Sequence, residues 1–268
     1  MKKYTLLVLC ILLFTACIKH PEQPPLHRPQ WLINKVIRVT LSYGANPLPG
    51  SPVVSATKTL WEIEYNQHYK PYIRRIYQSG RNDTLNLVFQ MADTLLYDAK
   101  LRVKEMRSAF ETVIFTYSGN DTLPSRKEAQ PAGYTLDYAY HGDTVIIMSN
   151  DPKFGHDTTR VVYPNGNLSY SLSQDYPTLP DVYYYDAYDN GPIIERSMNL
   201  SIGGLYNLPF TVGATPRLSR NNWTHSTFFY VDRVTTYNEY GLPIASYVQE
   251  YFPEEKHICR YEYFETRP

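Results

Sequence analysis

The chain has 268 residues, enough for one sizeable core or two small ones, and its 26 basic side chains balance 26 acidic ones. That neutrality leaves no electrostatic footprint for nucleic acid, so no nucleic-acid partner is expected. Three cysteines are too few for a disulfide scaffold, and 26 tyrosines among many Val, Thr and Ile residues make a β composition.

Residues 1–16 read as a signal peptide. Lys2 and Lys3 form a positive start, and Leu6 to Phe14 form an apolar run too short to span a bilayer as a helix. The following Thr15-Ala16-Cys17 resembles a bacterial lipobox, in which the cysteine thiol is alkylated by lipid and the chain is cut just before it. The resemblance implies a lipoprotein whose mature chain starts at Cys17, held in the membrane by acyl chains such as palmitate. Ile18 is not the aspartate that resembles an inner-membrane retention signal, which favours the outer membrane. Only Glu22 is acidic in Ile18-Lys19-His20-Pro21-Glu22, so a surface-export signal is missing and a periplasm-facing orientation is favoured over surface display.

Residues 17–30 hold several prolines and no apolar periodicity, the composition of an extended tether. Cys10 leaves with the signal and Cys17 takes lipid, so Cys259 is alone and reads as a small core residue.

A β-rich domain is expected over 31–268. Ile33, Ile37, Val39, Leu41 and Tyr43 alternate with polar residues, the period of a half-buried strand. Similar runs cover 59–65, 72–77, 84–91, 101–107, 112–117, 134–140, 144–148, 158–163, 168–172, 193–202, 227–237, 244–252 and 257–264. Between them lie Gly- and Asn-bearing turns such as Ser79-Gly80-Arg81-Asn82-Asp83, His141-Gly142-Asp143 and Glu239-Tyr240-Gly241, which supply the positive φ of tight hairpins. The short spacing demands antiparallel neighbours, because a parallel crossover needs a dozen residues or more. Gly203 to Trp223 is the least regular stretch. The expected fold is all-β: an antiparallel meander of hairpins, curved or barrel-like. A membrane-spanning barrel is not expected, since the chain follows a lipobox, is polar overall and ends in Thr266-Arg267-Pro268 rather than an aromatic.

Tyr97-Asp98-Ala99-Lys100-Leu101-Arg102-Val103, Tyr163-Pro164-Asn165-Gly166-Asn167-Leu168 and Tyr237-Asn238-Glu239-Tyr240-Gly241-Leu242-Pro243 each place a tyrosine before a turn and an apolar residue after it. These resemble degenerate YD-type hairpin repeats, and the tail from Val231 to Tyr263 is similar to that of uncharacterised β-rich lipoproteins from Bacteroidota. That resemblance implies stacked antiparallel hairpins and an envelope location. It implies no activity, since the family has none agreed.

Asp-Thr recurs at Asp83-Thr84, Asp93-Thr94, Asp121-Thr122, Asp143-Thr144 and Asp157-Thr158, five of thirteen aspartates where average composition predicts about one. The pattern resembles the O-glycosylation signal of Bacteroidota envelope proteins, which implies Thr84, Thr94, Thr122, Thr144 and Thr158 as candidate acceptors. The same pattern has a structural reading, in which Asp caps a turn and β-branched Thr opens the next strand.

Support for catalysis is thin. No histidines sit at i,i+2 or i,i+4, and CxxC, HExxH and G-x-S-x-G are missing, so no metal, cofactor or catalytic residue is assigned. Glu62 and Glu64 share a strand face, but surface strands often carry such pairs. Tyr184 and Trp223 are candidate stacking surfaces for sugars or peptides, with core packing as the competing reading. The leading expectation is a lipid-anchored, non-enzymatic envelope protein that binds or assembles with an envelope protein partner. The alternatives are a glycan-capture lipoprotein and a hydrolase with an unrecognised site.

Overall fold

The computed structural model describes residues 31–44, 51–173, 182–193, 196, 198–200, 220–226, 231–249 and 255–266. The first eight strands are β1 (Trp31–Tyr43), β2 (Val53–Tyr65), β3 (Pro71–Ser79), β4 (Leu87–Tyr97), β5 (Val103–Arg107), β6 (Thr112–Thr116), β7 (Arg126–Gln130) and β8 (Thr135–His141). The rest are β9 (Thr144–Asp151), β10 (Gly155–Val162), β11 (Tyr170–Ser173), β12 (Val182–Pro192), β13 (Asn221–Ser226), β14 (Val231–Tyr237), β15 (Pro243–Gln249) and β16 (Glu255–Glu265). A 3-10 turn spans Pro164–Gly166.

Each strand pairs antiparallel with the next, as the short turns require. The ends of the meander then meet: β1 pairs with β16 from Trp31↔Glu265 to Ser42↔Glu255 and closes the sheet into a barrel. Closure removes the two exposed edges that an open meander would present.

Strand direction defines two ends. The proximal end carries Trp31, the β16 terminus and the turns after even-numbered strands. The distal end carries the turns after odd-numbered strands. Residues 1–30, expected to form a signal peptide and tether, lie outside the described residues.

Alternation sorts the wall. Ile33, Val36, Trp61, Ile63, Leu95, Val113, Phe115, Ala129, Cys259 and Tyr261 face inward and form one buried apolar cluster. Tyr138, Val145, Ile147, Val161, Tyr163 and Leu168 form a second. Met198 and Leu200, from the long β12–β13 connection, are buried in the first cluster. Their backbone is not strand: Asn199 has φ of 55°, and its side chain donates to the Tyr69 carbonyl at 2.9 Å. A strand expected over 193–202 is therefore corrected, at the described residues, to a turn that packs into the proximal end of the barrel.

The inner wall also carries charge. Arg74 and Asp93 face each other on β3 and β4, both buried, with the Arg74 Nε donating to Asp93 Oδ2 at 2.7 Å. Arg233 is buried against the Trp223 ring at 5.5 Å and donates to Asn222 and Ser246.

Candidate functional site

The outer wall decides what the barrel can face. Lys58, Arg160 and Arg260 occupy mid-strand positions flanked by the inward Thr59, Val161 and Cys259, so they point out. Near the proximal end, Glu262, Lys35, Glu62 and Arg75 lie on one rung across four adjacent strands, in alternating sign. Lys35 is 3.9 Å from Glu262, Arg75 pairs with Glu64, and Arg126 lies 3.3 Å from Asp137. Glu64 is thus the ion-pair partner of Arg75, and Glu62 lies on the rung of Arg75 and Lys35. A membrane-spanning barrel needs an outward apolar band about 25 Å tall with its polar residues inside. Here the inner wall holds the apolar cluster together with Arg74, Asp93 and Arg233, and the outer wall carries charges beside apolar residues: Ile37 and Val39 share rungs with Arg260 and Lys58.

Three of the proximal turns are built alike. After Tyr65, Tyr97 and Tyr237 comes Asn66, Asp98 or Asn238, whose Oδ1 accepts the backbone N–H groups two and four residues on. Each turn contains one left-handed residue, Tyr69 (φ 55°), Leu101 (φ 58°) or Gly241 (φ 71°). Between the first two turns lies a groove of about 550 Å³, lined by Asn66, Gln67, His68, Tyr72, Leu96 and Tyr97 among others.

The distal turns are different in kind. Leu85, Phe110 and Phe154 stand at the tips of the β3–β4, β5–β6 and β9–β10 hairpins, 89 %, 76 % and 71 % exposed. Val53, Val54, Val88 and Phe89 are exposed at the same end. Sequence reasoning passed over these tips, although an apolar residue inside Asp83-Thr84-Leu85-Asn86 or Ser108-Ala109-Phe110-Glu111 departs from the polar chemistry turns favour.

The sequence candidates scatter over the molecule. Cys17 lies outside the described residues. Tyr184 pairs with Tyr170 on β12, and its side chain lies outside the described residues. Trp223 is buried between Tyr185, at 5.6 Å, and Arg233, so a sugar would have to enter the barrel to reach it. Thr84 and Thr122 sit in turns, and Thr144 opens β9 after one. Thr94 and Thr158 lie inside β4 and β10 on the outer wall. Asp93, beside Thr94, caps no turn and instead faces Arg74 inside the barrel. Cys259 faces Arg38 across the β1–β16 seam, and burial pushes its thiol up to about 12 despite Arg38 and Arg233 nearby. That protonated thiol is a poor nucleophile. Among the described residues no group of three or more His, Cys, Asp or Glu is placed to hold a metal ion.

No protein-family model matches the chain, and no curated protein matches it. Solved structures do. A porin-like protein from Bacteroides uniformis aligns with a TM-score of 0.56 at 10% identity, covering 87% of this chain and 98% of its own. A porin-like protein from Bacteroides vulgatus aligns with a TM-score of 0.41 at 12% identity, with the same coverage. At that identity the first likeness speaks for the fold alone: an all-β, antiparallel meander shared with β proteins from Bacteroides.

Proposed function

We propose that the chain is a non-enzymatic protein of the cell envelope, held by lipid on Cys17 at the end of a proline-rich tether, whose barrel stands in water and acts by binding or assembly. The observation that carries this reading is charge at mid-wall: Lys58, Arg160 and Arg260 point outward with a buried apolar cluster behind them, beside outward Ile37 and Val39, and a membrane-embedded wall would set those charges against acyl chains. A mature chain starting at Cys17 would keep this barrel beside a membrane, here read as the outer membrane with the barrel in the periplasm.

Carbonate extraction of cell membranes tests the reading. The wild-type chain is expected in the pellet, held by its acyl chains, and a chain in which a cleavable signal without a lipidated cysteine replaces residues 1–17 is expected in the supernatant. Retention of both in the pellet would mean an embedded barrel and would end the proposal. Protease accessibility on intact against permeabilised cells then reports orientation.

A second reading, glycan capture, is favoured by the proximal groove, where Tyr72 is 40 % exposed beside Asn66, Gln67 and His68. An aromatic face with amide neighbours suits a sugar. Binding on a glycan array that Tyr72→Ala abolishes, with folding intact, would move this reading to first.

A further inference from the structure

We infer that the distal rim docks onto a phospholipid surface through Leu85, Phe110 and Phe154. Each of these side chains is displayed by a turn that satisfies its own backbone. The Leu85 N–H donates to Asp83 Oδ1 at 3.3 Å, the Phe110 N–H to Ser108 Oγ at 3.2 Å, and the Phe154 N–H to Asp151 Oδ1 at 3.1 Å. The same three oxygens also accept from Asn86, Glu111 and Lys153 at 3.2, 3.0 and 2.7 Å. A backbone N–H carried into an apolar layer without a partner opposes entry strongly. These tips bring the acceptors with them, so their apolar side chains can leave water without orphaning those donors.

Their arrangement selects the occupant. The β3–β4 and β5–β6 tips are neighbours on the rim and the β9–β10 tip stands beyond the β7–β8 hairpin, each on its own polar turn. A protein partner would need a matched pocket for each, whereas the fluid boundary of a bilayer receives separate knobs anywhere. Lys153 Nζ lies 4.8 Å from the Phe154 ring centroid, which places a cation where lipid phosphates lie when a ring enters the acyl boundary. Reach is adequate: the tether, at about 3.1 Å per residue over residues 17–30, is roughly as long as the barrel wall, where β1 rises about 3.3 Å per residue. The rim can therefore meet the leaflet that anchors Cys17. Only this statement of reach rests on the tether reading. Lipid contact by the rim itself does not.

The test uses the full mature chain carrying Cys17→Ser, so that no acyl chain contributes, and vesicles of phosphatidylethanolamine and phosphatidylglycerol. Cosedimentation of the parent chain is expected. Leu85→Ser/Phe110→Ser/Phe154→Ser should lower the partition coefficient at least tenfold with an unchanged circular dichroism spectrum, while Tyr240→Ser at the proximal end leaves it unchanged. In a Phe110→Trp chain, indole emission should shift blue and be quenched by brominated lipid. Absence of cosedimentation by the parent, or equal binding by the triple variant, overturns the inference. So does a parent dimer that the triple variant converts to monomer, which would make the rim a contact between copies. None of these failures touches the anchor at Cys17, which carbonate extraction reads separately.

Discussion

The hydroxyl of Tyr97, at the end of β4, donates to the carbonyl of Pro71, the first residue of β3, at 2.6 Å. The same latch joins Tyr65 to Ile33, Tyr117 to Val103, Tyr140 to Pro124 and Tyr263 to Pro243, at 2.6 to 2.8 Å. In each case a tyrosine finishing a distal hairpin reaches back to the carbonyl at or near that hairpin's start. Much of the tyrosine content thus has a job: it locks hairpins into units before the barrel closes.

Removing one latch is the mildest test of that account. A neutral hydrogen bond contributes about 1 kcal/mol net, and its loss leaves a carbonyl that water can partly reach. Tyr97→Phe should lower stability by about 1 kcal/mol, a Tm shift of roughly 2–4 °C for a domain this size. Thermal denaturation followed by circular dichroism checks it. An unchanged Tm would mean the latch is incidental.

The Arg74–Asp93 pair should respond asymmetrically. Truncating one partner leaves a buried charge alone, and such changes destabilise by about 3–5 kcal/mol. Asp93→Ala should therefore be severe, while Arg74→Met/Asp93→Leu should recover most or all of the loss because apolar packing replaces the ions. Urea unfolding of the two variants distinguishes the outcomes.

Alkali should unfold the barrel. Burial pushes the Cys259 thiol from 9.0 up to about 12, and the Tyr117 hydroxyl from 10.0 up to about 12. In the unfolded chain these groups lose their protons near their ordinary values, whereas the folded chain holds them. Their contribution is complete below pH 9 and is lost as pH rises through the window from about 9 to 12. A Tm that stays level between pH 9 and 12 would contradict this. The buried thiol should also resist alkylation at pH 8 until the chain unfolds.

Gly241 isolates a backbone effect. Its φ is +71° and no atom lies within 4 Å of where a Cβ would stand, so a side chain meets strain without a clash. Gly241→Val should cost about 1–2 kcal/mol through the left-handed conformation alone. The equivalent positions hold Tyr69 and Leu101, so Tyr69→Gly is expected to relieve strain of the same origin.

Glycan at Thr84, Thr122 or Thr144 is compatible with their turn positions. Intact mass of native protein should exceed that of the lipidated, unmodified chain. A mass matching the unmodified chain removes all five threonines from consideration.

Most strands were legible because two faces in different surroundings impose a period of two; in β1, though, Ile37 and Val39, expected on the dry face, point outward on the rungs of Arg260 and Lys58, and Val36 and Arg38 point in. The exceptions have physical causes. Arg126-Lys127-Glu128-Ala129-Gln130 forms β7 although only Ala129 in it is buried, because both neighbours supply its hydrogen bonds. Tyr65-Asn66-Gln67-His68-Tyr69-Lys70-Pro71 makes the same turn as Tyr237 to Pro243, but a tyrosine where glycine is usual hid the match. Ile193 to Leu200 has strand composition, yet Met198 and Leu200 pack into a cluster built by strands far away in sequence. Periodicity cannot report that. The rim was illegible for a related reason: Leu85, Phe110 and Phe154 are isolated in sequence and become a set only when hairpin direction brings them to one end.

The seam between β1 and β16 also sets a timetable. Thr40 and His257, bonded at 3.1 Å, are separated by 217 positions along the chain. A barrel that closes by pairing β16 with β1 cannot finish folding until β16 has been made. Until then Ile37, Val39 and Leu41 belong to an open edge ready to pair with any other chain. A translation product truncated before β16 would keep that edge for good, so for this fold the fate of an incomplete copy is a matter for chaperones and proteases rather than a milder version of the native protein.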